Sequence, residues 1–292
     1  MTTIQVATAN YPITRHASWD AYCQHIEAWA TDAAEQGAQL LVFPEYGAME
    51  LSSLLDVQLQ ADLHGQIGAL QTYLEPFIAL HQRLAQQLQV TLLAASLPVL
   101  NNQAFVNRAY LALPNGTLAY QDKLTMTRFE HEHWNIKASD ELSVFNTPVG
   151  KLGVCICYDS EFPHYARQLV ERGADIILVP SCTDTLAGYN RVRIGSRARA
   201  LENQCYVIQS PTVGNAAWAP AVDENHGAAA VYTPVDKGFP DDGVLAQAHL
   251  NKPCWLYCTL DLSLLANVRR DGQVLNHRDW TRQFRDLTLK TL

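Results

Sequence analysis

The sequence predicts an α/β protein built on a mixed sheet, and three observations carry that reading. Short apolar runs alternate with longer stretches of helical periodicity, Pro-Asn-Gly separates two strand-like runs, and one helix-to-strand unit occurs twice. With 48% hydrophobic and 17% charged residues, the 292-residue chain can bury a large core. No Ser-, Gly- or Pro-rich linker divides it, so residues 1–292 read as a single domain, with the part after about residue 262 a C-terminal helix and tail.

Taken in order, Ile4 to Thr8 alternates as a half-buried strand does, and Trp19 to Glu35 has helical spacing until Gly37 stops it. Gln39 to Phe43 is an apolar run closed by Pro44, the pattern of a strand covered on both faces. Helical periodicity returns from Gln66 to Gln89 with a break expected at Pro76, and Val90 to Ser96 returns to strand. Phe105 to Leu113 and Thr117 to Gln121 pair as a hairpin around Pro114-Asn115-Gly116, which mixes antiparallel pairing into the sheet. Polar residues fill 125–141. Lys151 to Cys157 is then a buried strand, followed by a helix from about Glu161 to Arg172, a strand over Asp175 to Val179, a helix over Ala187 to Asn203 and a strand over Cys205 to Ser210.

The repeated unit is Gly37-Ala38-Gln39-Leu40-Leu41-Val42-Phe43-Pro44 against Gly173-Ala174-Asp175-Ile176-Ile177-Leu178-Val179-Pro180. Chance produces such matches readily, since glycine stops helices and proline ends strands. The alternative is a fold of two similar halves around one core.

The formal charge is -8 and no long Lys/Arg cluster occurs, which speaks against nucleic acid or an anionic membrane surface as partner and for a small-molecule substrate. The opening residues carry no basic leader or long apolar run, and no stretch approaches the roughly 20 apolar residues of a membrane span, so a cytoplasmic location is expected. Seven cysteines, an odd number, point to reduced thiols and leave one free to be chemically special.

Three segments place reactive residues where apolar strands end: Leu41 to Tyr46, Tyr120 to Leu124, and Gly153 to Pro163. Singly, Glu45 reads as a solvated loop carboxylate, Lys123 as a surface lysine and Cys157 as packing. Together a thiol, a carboxylate and an ammonium supply what acyl transfer from nitrogen needs, because a thiol of pKa about 8.5 requires a base or a nearby cation to act as nucleophile.

In the order Glu, Lys, Cys, these segments resemble the nitrilase, or carbon–nitrogen hydrolase, superfamily, with similarity from the first strand to about residue 260. Phe43-Pro44-Glu45 is similar to its glutamate motif, Asp122-Lys123-Leu124 to its lysine motif, and Gly153-Val154-Cys155-Ile156-Cys157-Tyr158-Asp159 to its nucleophile motif. The resemblance implies an α-β-β-α sandwich of two mixed sheets with outer helices, assembled through those helices into homodimers or larger homo-oligomers. It implies Glu45 as general base, Cys157 as nucleophile, and Lys123 with the backbone N–H of Tyr158 as stabilisers of the oxyanion. It also implies a second glutamate, for which Glu130 fits and Glu132 competes. No metal or organic cofactor is implied. The segment after the strand 176–179 lines the pocket in this family, which offers Cys182, Thr183, Tyr189 and Arg193 as substrate contacts. On their own, Arg191, Arg193, Arg197 and Arg199 read as a solvated or subunit-facing surface.

Tyr158-Asp159 after the cysteine matches many amide-cleaving branches, so an amidase of small linear amides is expected, ω-amidases being among the related enzymes. Nitrile and N-carbamoyl hydrolysis are the alternatives, and an arginine in the pocket would suit a carboxylate-bearing substrate. A Cys-His hydrolase of papain type and a non-catalytic scaffold or binding protein are rivals from other classes. Glu130-His131-Glu132-His133 has no second ligand cluster at recognisable spacing, and Cys155 and Cys157 suit neither a zinc knuckle nor a redox pair, so no metal site is expected.

Overall fold

The computed structural model describes residues 3–291. The first half carries β1 (Thr3–Pro12), α1 (Trp19–Glu35), β2 (Leu40–Val42), α2 (Val57–Ala61), α3 (Leu63–Ala69), α4 (Leu74–Leu88), β3 (Thr91–Leu93), β4 (Leu97–Asn101), β5 (Ala104–Ala112), β6 (Leu118–Asp122) and β7 (Ile136–Lys137). The second carries β8 (Val144–Thr147), β9 (Gly150–Val154), α5 (Pro163–Glu171), β10 (Ile176–Ser181), α6 (Leu186–Asn203), β11 (Tyr206–Asn215), β12 (Glu224–Asn225), β13 (Ala230–Tyr232), β14 (Val244–Gln247), β15 (Cys254–Asp261), α7 (Leu262–Asp271) and α8 (Asn276–Asp279).

The strands form a continuous mixed sheet of order β4-β5-β3-β2-β1-β11-β10-β9-β8, with the others hydrogen-bonded off this path. Its two halves join because β1 and β11 run past their other neighbours and pair in parallel at their ends, Tyr11 with Thr212 and Pro12 with Val213. The repeated sequence units take mirrored places about this seam: β2 lies parallel beside β1, and β10 parallel beside β11. Gly37 (φ +82°) and Gly173 (φ +95°) each turn the chain out of the preceding helix in the left-handed region, a conformation that favours glycine.

Alternation along the first-half strands sorts their side chains to two cores. Ile4, Val6, Leu40, Val42 and Leu93 pack with Val154, Leu178 and Ile208 of the second half. Ala7, Ala9, Leu41, Phe43 and Leu92 pack instead under α1 and α4, against Ile26, Ala30 and Leu84. Polar groups between these strands are satisfied locally, Thr8 Oγ1 donating to the Gln209 carbonyl and Ser210 Oγ to the Ala9 and Val42 carbonyls, each at 2.9 Å.

Several expected boundaries shift, for local reasons. The predicted helix over 66–89 breaks at a 3-10 turn, Leu70–Tyr73, ahead of Pro76, which sits in the first turn of α4. A first-turn residue has no intrahelical acceptor for its N–H, so proline costs little there. The strand expected from Val90 to Ser96 is only Thr91–Leu93. The strand expected from Lys151 to Cys157 ends at Val154, because Cys157 enters a 3-10 turn, Cys157–Glu161. Strands β4 and β8 were not foreseen; both pair antiparallel with a neighbour, β4 with β5 and β8 with β9.

Candidate active site

Three turns bring the three sequence motifs together. After β2 the chain bends sharply at Glu45-Tyr46. Tyr46 holds a left-handed φ of +53°, and Ser96 latches the bend by accepting from Tyr46 N–H at 2.9 Å and donating its own N–H to Pro44 at 3.1 Å. The β5–β6 hairpin sets Arg108 opposite Asp122, a bidentate pair at 2.6 and 2.7 Å, so the next residue, Lys123, donates its N–H to the Asn107 carbonyl at 2.9 Å. The third bend places Cys157 at the start of its 3-10 turn with φ +51°, a strained setting for a non-glycine residue.

Lys123 stands between two carboxylates, with Nζ 2.7 Å from Glu45 Oε1 and 2.6 Å from Glu130 Oε2. All three side chains are at most 3% exposed. Asn107 Nδ2 donates to Glu45 Oε1 at 2.9 Å, and Tyr46 Oη donates to Glu130 Oε1 at 2.7 Å. The second Glu45 oxygen accepts the Cys182 N–H at 2.9 Å, and the Cys157 thiol contacts the Cys182 carbonyl at 3.8 Å. One backbone unit therefore touches both the thiol and the carboxylate.

The two glutamates are driven apart in acidity. Burial raises Glu45 above the ordinary carboxylate value, and the Glu130 charge adds to it against the opposing pull of Lys123. Burial acts on Glu130 in the same sense, but Lys123, the Thr127 amide and Tyr46 outweigh it and hold this carboxyl below its usual range. Lys123, though desolvated, is held well above its ordinary value by Glu130 and Glu45. Burial, then the neighbouring Glu45 charge, push the Cys157 thiol well up, so the resting sulfur is protonated. The arrangement is a neutral thiol, a fixed ammonium, a fixed anion and a carboxylate with raised proton affinity.

The structure separates Glu130 from Glu132. Glu130 is buried against Lys123, whereas Glu132 is exposed and pairs with Arg128 at 2.8 Å. The signal was in the sequence: Thr127-Arg128-Phe129-Glu130 is a capping-box pattern. It forms as such, with Thr127 N–H donating to Glu130 Oε2 at 2.9 Å and Glu130 N–H to Thr127 Oγ1 at 3.3 Å. His131 and His133 are exposed and apart from the lysine cluster.

Among the pocket candidates, Cys182 reaches the site through its backbone, while its thiol donates to Asn225 Oδ1 at 3.4 Å. Thr183 donates to the His226 carbonyl at 2.7 Å. Tyr189 and Arg193 on α6 interact with Tyr232, and among the described residues neither forms a hydrogen bond or ion pair with Glu45, Lys123, Glu130 or Cys157. Tyr158 follows Cys157 in the turn and is half-buried, its ring packed edge-on against Phe162 at 4.9 Å.

Sequence reasoning missed a supporting layer. Asp159 accepts N–H groups from Leu124, Thr125 and Ile156 at 2.8–3.2 Å, so one carboxyl ties the Lys123 turn to the Cys157 turn. Arg199 does not belong to a solvated arginine face: it is 5% exposed and donates to the Ser160 carbonyl at 3.2 Å. It can do so because α6 passes close behind the turn at Gly195, where a Cβ would lie 2.9 Å from the Ser160 oxygen.

Residues 5–270 match the carbon-nitrogen hydrolase family. The chain is 31% identical over 287 residues to "Probable hydrolase YhcX" of Bacillus subtilis, covering 98% of this chain but 55% of that protein, so it spans little more than half of that relative's length. It is 29% identical over 259 residues to a deaminated glutathione amidase of Synechocystis, covering 84% of this chain and 88% of that one. Among solved structures, a carbon-nitrogen hydrolase from Helicobacter pylori superposes with a TM-score of 0.75 at 22% identity, covering 92% of each chain; the likeness is one of fold.

Proposed function

The chain belongs to the carbon–nitrogen hydrolase family of the nitrilase superfamily, and from that premise we propose that it hydrolyses the amide bond of a small linear molecule through a thioester at Cys157. The observation that carries this reading is the buried Glu45–Lys123–Glu130 bridge, with the Cys157 thiol beside it. Glu45, whose proton affinity is raised, takes the thiol proton as sulfur attacks the carbonyl carbon. The Lys123 ammonium and the Tyr158 N–H stabilise the oxyanion that develops, in a site dry enough for fixed charge to act strongly. Glu45 then hands its proton to the departing nitrogen, and the C–N bond breaks to leave the thioester. A water that gives its proton to the same carboxylate attacks the thioester, and the acid and the thiol are released. Glu130 keeps Lys123 charged throughout, so the ammonium serves as electrostatic stabiliser and not as acid.

The finer readings join this proposal. One domain spans the chain, and its two strand halves stack face to face in an α-β-β-α sandwich, which the core shared by β1, β2, β10 and β11 supports. Copies assemble through outer helices; α6 leaves Ile194 and Leu201 exposed at 63% and 41%. Unpaired cysteines at all seven positions suit a reducing, cytoplasmic compartment.

A panel of small amides, N-carbamoyl compounds and nitriles, followed by ammonia release, tests the reading. Amides should turn over fastest; nitriles alone turning over would replace the amidase assignment with a nitrilase.

A further inference from the structure

We propose that His16, His25 and Glu50 form a binding site for a divalent ion of the zinc class, separate from the cysteine site. One ligand atom from each lies within 4.8 Å of the others. They come from three elements: His16 from the β1–α1 connection, His25 from α1, and Glu50 from the 3-10 segment Gly47–Leu54 that follows Glu45 and Tyr46. Sequence spacing could not show the set, since nothing joins positions 16, 25 and 50 before the chain folds.

The donor chemistry fits such an ion. Two imidazoles and a carboxylate are a recognised three-ligand set for zinc, in which ligand atoms about 2.0–2.2 Å from the metal stand roughly 3.3–3.5 Å apart. His16 Nε2 and Glu50 Oε2 already lie 3.4 Å apart. The remaining edges lie within 4.8 Å, and ligation requires half-buried His25 to draw in toward the other two. Burial lowers the His25 pKa, which favours the neutral imidazole that ligates metals.

The surroundings point to a ligand not yet counted. Glu50 is fully buried, and among the described residues its only ion-pair partner is His16. A buried carboxylate without a lysine or arginine calls for another source of positive charge. Tyr11 Oη at 2.6 Å and Thr14 N–H at 3.1 Å donate one to each Glu50 oxygen, orienting the carboxylate as outer-shell groups do around a metal ligand. Meanwhile His25 Nε2 and the Tyr22 hydroxyl are buried without hydrogen-bond partners, and buried His16 Nε2, apart from its 3.4 Å approach to Glu50 Oε2, makes no hydrogen bond. An ion would engage the two ring nitrogens, and a water in its fourth position could satisfy Tyr22. Bound there, it would staple the β1–α1 connection and α1 to the segment that begins two residues after Glu45.

Cobalt(II) titration of the full chain tests this, because nitrogen and oxygen ligation gives visible ligand-field bands without the intense near-ultraviolet band of thiolate ligation. We expect saturation at one cobalt per chain, displacement by zinc, and a melting temperature that rises by several degrees with zinc. His25→Phe keeps a ring against Tyr11 and Trp29 and should fold normally but lose the bands and the zinc-dependent rise. Glu50→Gln should do the same; if it fails to fold, His25→Phe decides alone. Absence of visible bands, a spectrum due only to thiolate, or binding unchanged in His25→Phe would overturn the proposal.

Discussion

The backbone N–H of Cys182 donates to Glu45 Oε2 across 2.9 Å. Glu45 follows the strand of the first repeated unit and Cys182 that of the second, so this bond joins the corresponding ends of the two halves. It also fixes the carboxylate while leaving Oε1 to Lys123 and Asn107, and the Cys182 carbonyl faces the Cys157 thiol. The backbone of one residue, Cys182, thereby meets the proposed base through its N–H and the proposed nucleophile through its C=O.

Lys123→Met should cost both stability and turnover. It strands two buried carboxylates, for which a loss of about 3–5 kcal/mol is expected, and it removes the proposed oxyanion partner, worth roughly 10²–10³ in kcat. The stranded groups would have raised pKa values, so they bind more protons folded than unfolded. The variant's deficit should therefore shrink as pH falls, which urea melts at acidic and neutral pH would show.

The acid limb of the kcat/KM profile should lie above the ordinary glutamate value, because the proposed mechanism needs Glu45 ionised to accept the thiol proton and its pKa is raised. Glu130→Gln removes a like charge and leaves Lys123 to Glu45 alone, so that limb should move to lower pH while kcat falls. A limb that stays in place would separate Glu130 from the acidity of Glu45.

Much of this was legible in sequence and some was not. The helix Trp19–Glu35 and the hairpin around Pro114-Asn115-Gly116 follow from local periodicity and turn chemistry, and the structure has both. Glu45, Lys123 and Cys157 each read blandly alone and stood out through the resemblance of their ordered motifs to those of the nitrilase superfamily. Asn107 and Tyr46 did not, since their meaning lies in contacts across 62 and 84 positions, to Glu45 and Glu130 respectively. Arg199 was misread because helical spacing cannot tell a solvated arginine from one whose helix is pressed against another turn.

Asp159→Ala should lower kcat by more than it raises KM and should lower the melting temperature. It frees the Leu124, Thr125 and Ile156 N–H groups in a buried place, at about 1–3 kcal/mol for each donor left unpaired. Asp159→Asn, which keeps one acceptor oxygen, should fall between; equal kcat in all three proteins would deny Asp159 a positioning role.

Gly195→Ala inserts a Cβ 2.9 Å from the Ser160 oxygen. The helix must back away from the Cys157 turn, at a cost of about 1–3 kcal/mol. Turnover should drop with unchanged secondary structure by circular dichroism, and wild-type rates would show that the turn is set without α6.

Mapping of the covalent intermediate by mass spectrometry, on protein quenched during turnover of an amide, tests the central claim most directly. The acyl mass should sit on Cys157 and be absent from Cys157→Ala, which should fold and release no ammonia. An adduct on Cys155, or turnover retained by Cys157→Ala, would contradict the assignment.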